Sequence, residues 1–265
     1  MIIFVNILIP IYIYIYMKIA VIIATYCRKQ GTSKKYLETM FSYLENQTYK
    51  DFKVFIVGDN YSNNDEFDAL CKSYKGDIYY YNSPVDYRTT TFKLKQNKWT
   101  CGGSFSRRIA IKKAIEEDFD YYFHIDDDDV WKLNHIETYV KNLNKFPKTA
   151  FMICKSKYKN GTLPRSHKSI TKNGYNNYMV KSCDSVHASW CINLNILGNL
   201  LMELYDKRIS TIDKIKRNLI KETEICPMDA NILKNISNQQ KNKKIKCMCL
   251  VSNTCVKLND YNIPK

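Results

Sequence analysis

The sequence lacks the marks of several protein classes. Its 10 cysteines include no Cys-x-x-Cys pair, and zinc modules are built from closely spaced Cys and His ligands. No homeodomain, zinc-finger or RNA-recognition signature is present, and no internal repeat is found. These absences argue against a common nucleic-acid-binding module. We expect the cysteines to be reduced thiols of a protein in a reducing, cytoplasmic compartment.

An apolar run long enough to span a membrane is also missing at the start of the chain. Residues 1–17 carry no charge, but a transmembrane helix needs about 20 apolar residues, and Asn6 and Pro10 interrupt the run. A signal peptide would have a basic start and a small-residue cleavage site, and neither is present. We expect no membrane anchor here. A translation start at Met17, an extra strand and a disordered tail all stay open.

Acidic residues are scarce relative to basic ones. The chain has 41 Lys and Arg against 26 Asp and Glu, a formal net charge of +15 and a pI of about 9.2. Such a balance can indicate binding to nucleic acid, or it can reflect a coding sequence biased toward Lys, Asn, Ile and Tyr. The lysines are scattered along the whole chain, which favours the second interpretation. We expect no nucleic-acid partner, and some use of the charge near a phosphate-bearing ligand.

The order of predicted elements indicates an α/β protein of one large domain. A length of 265 residues is enough for a sizeable core. Strands are predicted at 18–26, 52–59, 77–81, 121–125, 149–154, 185–192 and 246–251. Helices are predicted at 33–46, 102–117, 135–145, 194–206 and 228–236, with a short one ending near 75. Alternating strands and helices predict a mostly parallel, doubly wound sheet. The weak boundary near Trp131 divides 18–131 from 132–265.

An acidic run stands at the end of one buried strand. Four aspartates, Asp126 to Asp129, directly follow the predicted strand 121–125, which begins with the apolar run 121–123. In an open α/β sheet, ligands bind at the carboxyl ends of strands. Strand alternation would put Asp126 and Asp128 on one face, with Asp127 and Asp129 on the other. Adjacent carboxylates repel one another unless a positive group holds them, and a hard divalent cation is a common solution. A solvated acidic turn is the alternative.

Three further segments have the same placement at strand ends or helix starts. Residues 24–28 (ATYCR) end the first strand, and 58–62 (GDNYS) end the second. Residues 102–114 (GGSFSRRIAIKKA) open a helix. With the acidic run, these segments resemble the motifs of glycosyltransferase family 2, which has the GT-A fold, in the family's order over residues 18 to about 236. Asn60 and Tyr61 replace an Asp and a Gly of the family's Asp-Asp-Gly-Ser motif.

The resemblance implies roles for particular residues around a nucleotide-sugar donor. Thr25, Tyr26 and Arg28 would lie near the base and ribose, and Asp59 would accept a hydrogen bond from a pyrimidine ring. Arg107 would lie near the donor phosphates, where guanidinium pairs well with phosphate. The acidic run matches the family's Asp-x-Asp-Asp, in which Asp126, Asp128 and Asp129 would hold Mn²⁺ or Mg²⁺, while Asp126 and Asp127 would face the donor.

The second half contains one candidate catalytic residue. Residues 227–233 (PMDANIL) resemble the family's Glu-Asp-x-x-Leu helix start, with Met228 in place of the Glu. The resemblance implies that Asp229 is the general base; a helix N-cap is its structural alternative, and Glu222 and Glu224 are substitutes for the base. We interpret His187 as a core histidine, with a place in the site as the alternative. Trp190 stays open between a platform for a sugar and a core residue.

The resemblance therefore implies a metal-dependent glycosyltransferase. It would move a sugar from a nucleoside diphosphate sugar, with uridine as the expected nucleoside, to an acceptor hydroxyl with inversion at the anomeric carbon. The sequence does not identify the acceptor, whether glycan, protein or lipid. A nucleotidyltransferase is one alternative, but it would need a Gly-rich loop after the first strand, and residues 26–31 contain one Gly. A non-catalytic basic nucleic-acid-binding protein is the other.

Overall fold

A computed structural model describes most of the chain. The described residues are 16–28, 31–85, 92–94, 97, 101–158, 161–164, 178–181, 185, 187–223 and 225–257. Glu224 and nearly all of the apolar segment 1–17 therefore lie outside the described residues. In the described part, the strands are β1 (Ile19–Thr25), β2 (Lys53–Asp59), β3 (Asp77–Ser83), β4 (Tyr121–Asp126), β5 (Asp129–Trp131), β6 (Thr149–Tyr158), β7 (Gly161–Leu163), β8 (Trp190–Asn193) and β9 (Lys246–Lys257). The helices there are α1 (Thr32–Glu45), α2 (Asn64–Lys72), α3 (Ser104–Glu116), α4 (His135–Lys145), α5 (Leu194–Lys216) and α6 (Met228–Lys241).

The strands form one mixed sheet that is parallel in its first half. Its order is β3-β2-β1-β4-β8-β6-β9-β5, and β7 pairs with β6. Strands β3, β2, β1 and β4 run parallel, as expected when helices connect them. Strand β8 is antiparallel to both β4 and β6, and β5 is antiparallel to β9. The predicted α/β class with a mostly parallel sheet is confirmed.

Strand β1 is central because both of its faces are apolar. Ile19, Val21 and Ile23 pack in one cluster with residues of α1, α2 and α4. Ala20 and Ile22 pack in a second cluster with residues of α3, α5 and α6. A strand covered on both faces needs a near-continuous apolar run rather than alternation. Helices on both faces of the sheet follow from this pattern, and they leave the strand ends as the place where polar groups meet.

The predicted strand 185–192 is wrong in its first part. The chain forms a 3₁₀ turn at His187–Ser189, and β8 begins only at Trp190. The backbone carbonyl of Ala188 accepts a hydrogen bond from Trp131 Nε1 at 2.6 Å, and that of Ser189 accepts one from the hydroxyl of Tyr139. Because distant aromatic side chains bond these carbonyls, the turn is fixed by tertiary contacts that local sequence does not reveal.

Helix α5 is ten residues longer than predicted, ending at Lys216 instead of 206. Its extension buries Ile212 and Ile215 against Phe92 and Cys101. Those partners come from the segment before α3, so the pairing depends on a contact across more than 100 residues of sequence. Tertiary packing of this kind commonly overrides the local signals that end a helix.

The cysteines whose side chains the structure describes form no disulfide with one another. They are Cys27, Cys71, Cys101, Cys154, Cys191, Cys226, Cys247 and Cys249. Most are buried in apolar clusters, where free Cys behaves as a small hydrophobe. Among the helices of the described residues, none combines the length and the apolar character that a bilayer crossing requires.

The turn after β2 forms despite its departures from the family motif. Asn60 adopts a left-handed conformation with φ of 54°, which Asn tolerates better than most residues. Asn82 at the end of β3 holds the turn, since its Oδ1 accepts from the Tyr61 backbone N–H and its Nδ2 donates to the Tyr61 carbonyl, both at 2.9 Å. A Cβ on Gly58 would lie 2.8 Å from that Oδ1. Gly58 is thus required for the close approach of Asn82.

We predict that Gly58→Ala destabilises the protein by about 1–3 kcal/mol, the usual cost of overpacking. The added methyl must displace the Asn82 amide, which removes two hydrogen bonds from the turn. The free energy of unfolding from urea titration measures the effect.

Gly198→Ala in helix α5 is the matched control. There a Cβ would meet its nearest neighbour, Ile115 Cδ1, at 3.4 Å, which is ordinary van der Waals contact. Because Gly weakens a helix interior relative to Ala by about 0.5–1 kcal/mol, this variant should be more stable than the parent. Equal destabilisation by both changes would contradict the packing argument.

Candidate active site

The carboxyl ends of three parallel strands bring the predicted site residues to one edge of the sheet. In register, Thr25 of β1 lies beside Gly58 of β2, and Ala24 lies beside Asp126 of β4. Asp59 is the last residue of β2 and is 8% exposed. The sequence motifs at these strand ends therefore surround a common point, as ligand sites of open α/β sheets do.

The acidic run is divided by a turn, so the alternation expected of a continuous strand is wrong. Strand β4 ends at Asp126, a turn follows, and β5 begins at Asp129. Carboxylate oxygens of Asp126, Asp128 and Asp129 all lie within 4.8 Å of one another. Asp127 leaves this group and points toward Arg28. Three aspartates thus form one acidic cluster, and the fourth has a separate partner.

Arg28 and Asp127 form a two-pronged ion pair. Arg28 Nη1 donates to Asp127 Oδ2 at 2.8 Å, and Nη2 donates to Oδ1 at 2.6 Å. The Thr25 hydroxyl donates to the same Oδ2 at 2.7 Å. Burial lowers the pKa of Arg28, but the Asp127 carboxylate more than offsets this and leaves the pKa above its ordinary value. The pair joins the end of β1 to the turn after β4.

The Arg28 guanidinium is also enclosed by aromatic rings. Its central carbon lies 4.5 Å from the ring centroid of Tyr26 and 4.9 Å from that of Tyr36, within the range of cation–π attraction. With both carboxylate oxygens of Asp127 already engaged, the two residues use their charges on each other. Arg28 and Asp127 therefore hold the end of β1 and the turn after β4 together, and the donor contacts expected of these two residues stay predictions.

Tyr61 supports the end of β1 from the side of β2. Its hydroxyl lies 2.6 Å from the Thr25 hydroxyl, and its ring packs on Phe67 of α2 with centroids 4.7 Å apart. Burial raises the pKa of Tyr61 above its ordinary value, so the phenol stays neutral. Tyr61, which takes the place of the family's glycine, thus adds a hydrogen bond that links β2 to β1 and, through Thr25, to Asp127.

Asp126 is held by a cation and a histidine on its buried side. Arg107 Nη2 in α3 donates to Asp126 Oδ1 at 2.8 Å, and His124 Nε2 lies 3.1 Å from the same oxygen. Burial would raise the pKa of Asp126, but Arg107, His124 and His187 hold it well below its ordinary value. Burial and then the Arg107 charge lower the pKa of His124. Asp126 is therefore an anion and His124 a neutral imidazole.

Sequence reasoning missed His124, which was treated only as a strand residue before the acidic run. Its Nδ1 is hydrogen-bonded to the hydroxyl of Tyr122, and the side chain is almost fully buried. Strand alternation could have indicated the role, because residues 122, 124 and 126 lie on one face of a strand. A Tyr, a His and an Asp on that face make a polar line leading to the site.

His187 corrects a second interpretation, since it lies in the site rather than in the core. Its Nδ1 is 3.9 Å from Asp126 Oδ2, and its Nε2 is 3.7 Å from Asp229 Oδ2. Asp229 is in the first turn of α6. The His187 ring therefore lies between the acidic cluster and Asp229, the residue implied to be the general base. In the sequence, 100 residues separate Asp229 from Asp129.

Two open alternatives from the sequence are also resolved by position. Trp190 is 1% exposed and belongs to the apolar cluster on the α5 side of the sheet, so it is a core residue rather than an exposed platform. Glu222 accepts hydrogen bonds from the backbone N–H groups of Lys93 at 2.8 Å and Leu94 at 3.0 Å. Its carboxylate therefore tethers the segment before α3, which argues against it as a substitute base. Glu224 lies outside the described residues.

The acidic cluster fits a hard divalent cation. Its donor atoms are carboxylate oxygens, the ligand type that Mg²⁺ and Mn²⁺ prefer, and three of them converge from a strand end and a turn. A second group of possible ligands, His124, Asp126 and His187, shares Asp126 with the first. Arg107 already neutralises Asp126 in part.

Known proteins resemble this chain in sequence and in fold. It is 30% identical over 188 residues to an uncharacterized glycosyltransferase of Acanthamoeba polyphaga mimivirus, covering 68% of this chain and 74% of that protein. The structure of S. aureus TarS 1–349 is similar with a TM-score of 0.57 at 14% identity, covering 91% of this chain and 60% of TarS 1–349. TarS 1–349 in complex with UDP-GlcNAc matches with a TM-score of 0.55 at 13% identity, over 91% of this chain and 58% of that one.

These structural similarities confirm the GT-A fold. At such low sequence identity they are evidence for the fold and for nothing further. The sequence similarity carries more. The family description of glycosyl transferase family 2 matches residues 20–197, which include the ends of β1, β2 and β4 and the start of α3. On this match, and on the viral relative, the chain belongs to glycosyltransferase family 2.

Proposed function

We propose that this protein transfers a sugar from a nucleoside diphosphate sugar, with UDP as the nucleotide, to an acceptor hydroxyl with inversion at the anomeric carbon. The observation that carries the proposal is the placement of Asp229. Its carboxylate comes from the second half of the chain and lies near the acidic cluster, with His187 within 4 Å of both Asp126 and Asp229. The structures of TarS with UDP and with UDP-GlcNAc support the choice of a uridine donor.

The two halves of the chain divide the work in this proposal. Residues 18–131 form the donor half, because the ends of β1, β2 and β4 and the start of α3 all belong to it. Residues 132–265 form the acceptor half and supply Asp229. The halves share one sheet, since β5 of the first pairs with β9 of the second. We place the protein in the cytoplasm, which fits the lack of disulfides among the cysteines that the structure describes.

Within the donor half, charge and position assign the contacts. Asp59 accepts a hydrogen bond from the pyrimidine ring, a task for which a carboxylate suits because it only accepts. Thr25 and Tyr26 lie beside the base and ribose. Arg107 donates one N–H to Asp126 and has four more on its guanidinium. In this proposal it both fixes Asp126 and adds positive charge near the diphosphate.

Asp128 and Asp129, with Asp126, would hold Mn²⁺ or Mg²⁺ in this proposal. When bound, the cation would stabilise the charge on the leaving diphosphate. Asp127 does not join it, because Arg28 and Thr25 occupy both of its oxygens. Its role is to keep the turn between β4 and β5 in place, so that Asp128 and Asp129 converge.

Asp229 acts as the general base. It accepts the proton of the acceptor hydroxyl as that oxygen forms a bond to the anomeric carbon. The bond from that carbon to the diphosphate oxygen breaks, and the diphosphate takes the electron pair. An inverting displacement needs the base on the side of the sugar opposite to the diphosphate. In this proposal Asp229, in the first turn of α6, takes that position.

Asp128→Asn tests the metal. We expect it to abolish sugar transfer and donor hydrolysis and to remove the Mn²⁺-dependent rise in melting temperature with UDP, because ligand stabilisation depends on binding to the folded state. The melting temperature without ligand should stay near that of the parent. Asp51→Asn, at an exposed loop aspartate, is the control and should keep full activity. Transfer at the parent's rate by the Asp128 variant would remove the metal site from the proposal.

Asp229→Asn tests the base. Loss of a general base lowers turnover by on the order of 10² or more, while the Mn²⁺-dependent binding of UDP should not change. Turnover with UDP-GlcNAc and a panel of acceptors measures the first, and calorimetry with UDP the second. The anomeric configuration of the product, from NMR couplings, reports inversion directly. A retained configuration, or unchanged turnover, would show that Asp229 is not the base of an inverting reaction.

A further inference from the structure

The 3₁₀ turn His187–Ser189 holds a histidine in a fixed place at the site. Trp131 and Tyr139 donate to the carbonyls of the two residues after it, Ala188 and Ser189. Both aromatic side chains are almost fully buried. The backbone that carries the imidazole is therefore attached to the core, and the ring has little freedom to swing away.

The ring itself is packed on two sides by aromatic neighbours. The indole of Trp190 meets it edge-on, with centroids 4.5 Å apart and planes at 86°. The imidazole of His124 lies 4.8 Å away, centroid to centroid. Between these rings the His187 side chain is 20% exposed. Its two nitrogens face different carboxylates, since Nδ1 is nearer to Asp126 and Nε2 to Asp229.

Asp229 needs a polar neighbour such as His187 because the residue before it, Met228, is apolar. The family's helix start has a Glu before this Asp, and here Met228 takes that place and is buried in the apolar cluster under α6. Met offers neither charge nor a hydrogen-bond donor. Among the ion pairs of the described residues, the partner of Asp229 is His187. A group 35% exposed at the first turn of a helix would otherwise take up several rotamers.

We propose that His187 is a positioning residue for Asp229. Its Nε2–H donates to Asp229 Oδ2 and leaves Oδ1 to receive the proton of the acceptor hydroxyl. The present separation of 3.7 Å shortens to a hydrogen bond when the acceptor binds, as catalytic contacts often tighten only in the complex. This inference rests on Asp229 being the base, and it assigns to an imidazole the orienting task that Met228 cannot perform.

Replacing His187 by Gln or by Asn tests the roles of its two ring nitrogens separately. In His187→Gln the amide nitrogen lies near the former Nε2 and can still donate to Asp229. In His187→Asn the amide lies near the former Nδ1 and faces Asp126 instead. We expect Gln to retain most of the turnover, and Asn and His187→Ala to lose about 10- to 100-fold, the range in which misplacement by about 1 Å falls. KM for the donor and the Mn²⁺ concentration for half activation should not change.

A double-mutant cycle then shows whether His187 acts through Asp229. Residues that act as a unit are strongly non-additive, so His187→Ala should cause no further loss in the Asp229→Asn background. Lys234→Ala, at an exposed position of the same helix, is the control and should match the parent. Melting temperatures without ligand confirm that each variant is folded.

The outcomes distinguish this inference from the function on which it rests. If Asp229→Asn has normal turnover, the base is wrong and the positioning role fails with it. If Asp229→Asn is impaired and His187→Ala is not, only the positioning role fails. If His187→Asn has a higher turnover than His187→Gln, and the Mn²⁺ concentration for half activation rises in the variants, His187 acts through Asp126 on the metal. That result also overturns the inference.

Discussion

The concentration of negative charge at the end of β4 is the constraint on which the rest of the site depends. Four consecutive carboxylates would repel one another strongly in a partly buried place. Two arginines from different elements relieve this, Arg28 after β1 and Arg107 in α3, each bonded to one aspartate. Removing one member of such a buried pair is strongly destabilising, by about 3–5 kcal/mol. The charges therefore tie β1, β4 and α3 together at this edge of the sheet.

The arginines lie beside a convergent group of carboxylates. Arg28 pairs with Asp127 and Arg107 with Asp126, while carboxylate oxygens of Asp126, Asp128 and Asp129 lie within 4.8 Å of one another. Positive and negative side chains are therefore adjacent at this edge of the sheet. Such an arrangement can hold a cation and an anionic group side by side.

Much of the fold could be predicted from the sequence, because β1 is apolar on both faces and the strands alternate with helices. The strand ends could be placed as well, and with them Asp59 and the acidic run. What could not be predicted depends on distant contacts. His187 lies in a turn that Trp131 and Tyr139 hold by hydrogen bonds, and α5 is extended by packing on the segment before α3. Local periodicity contains no information about either, since both partners are far away in the sequence.

The departures from the family motifs are informative because each is accompanied by a replacement nearby. Asn60 supplies the left-handed conformation at the turn after β2, and Tyr61 uses its hydroxyl to bond Thr25. Met228 is buried in an apolar cluster. The polar neighbour of Asp229 is instead His187, from the turn before β8. A sequence motif thus indicates which positions lie close together in the fold. When a motif residue is replaced, a side chain from another element that reaches the same point can take over its role. For this chain, that reasoning directs attention from the residue beside Asp229 in sequence to the residue beside it in space.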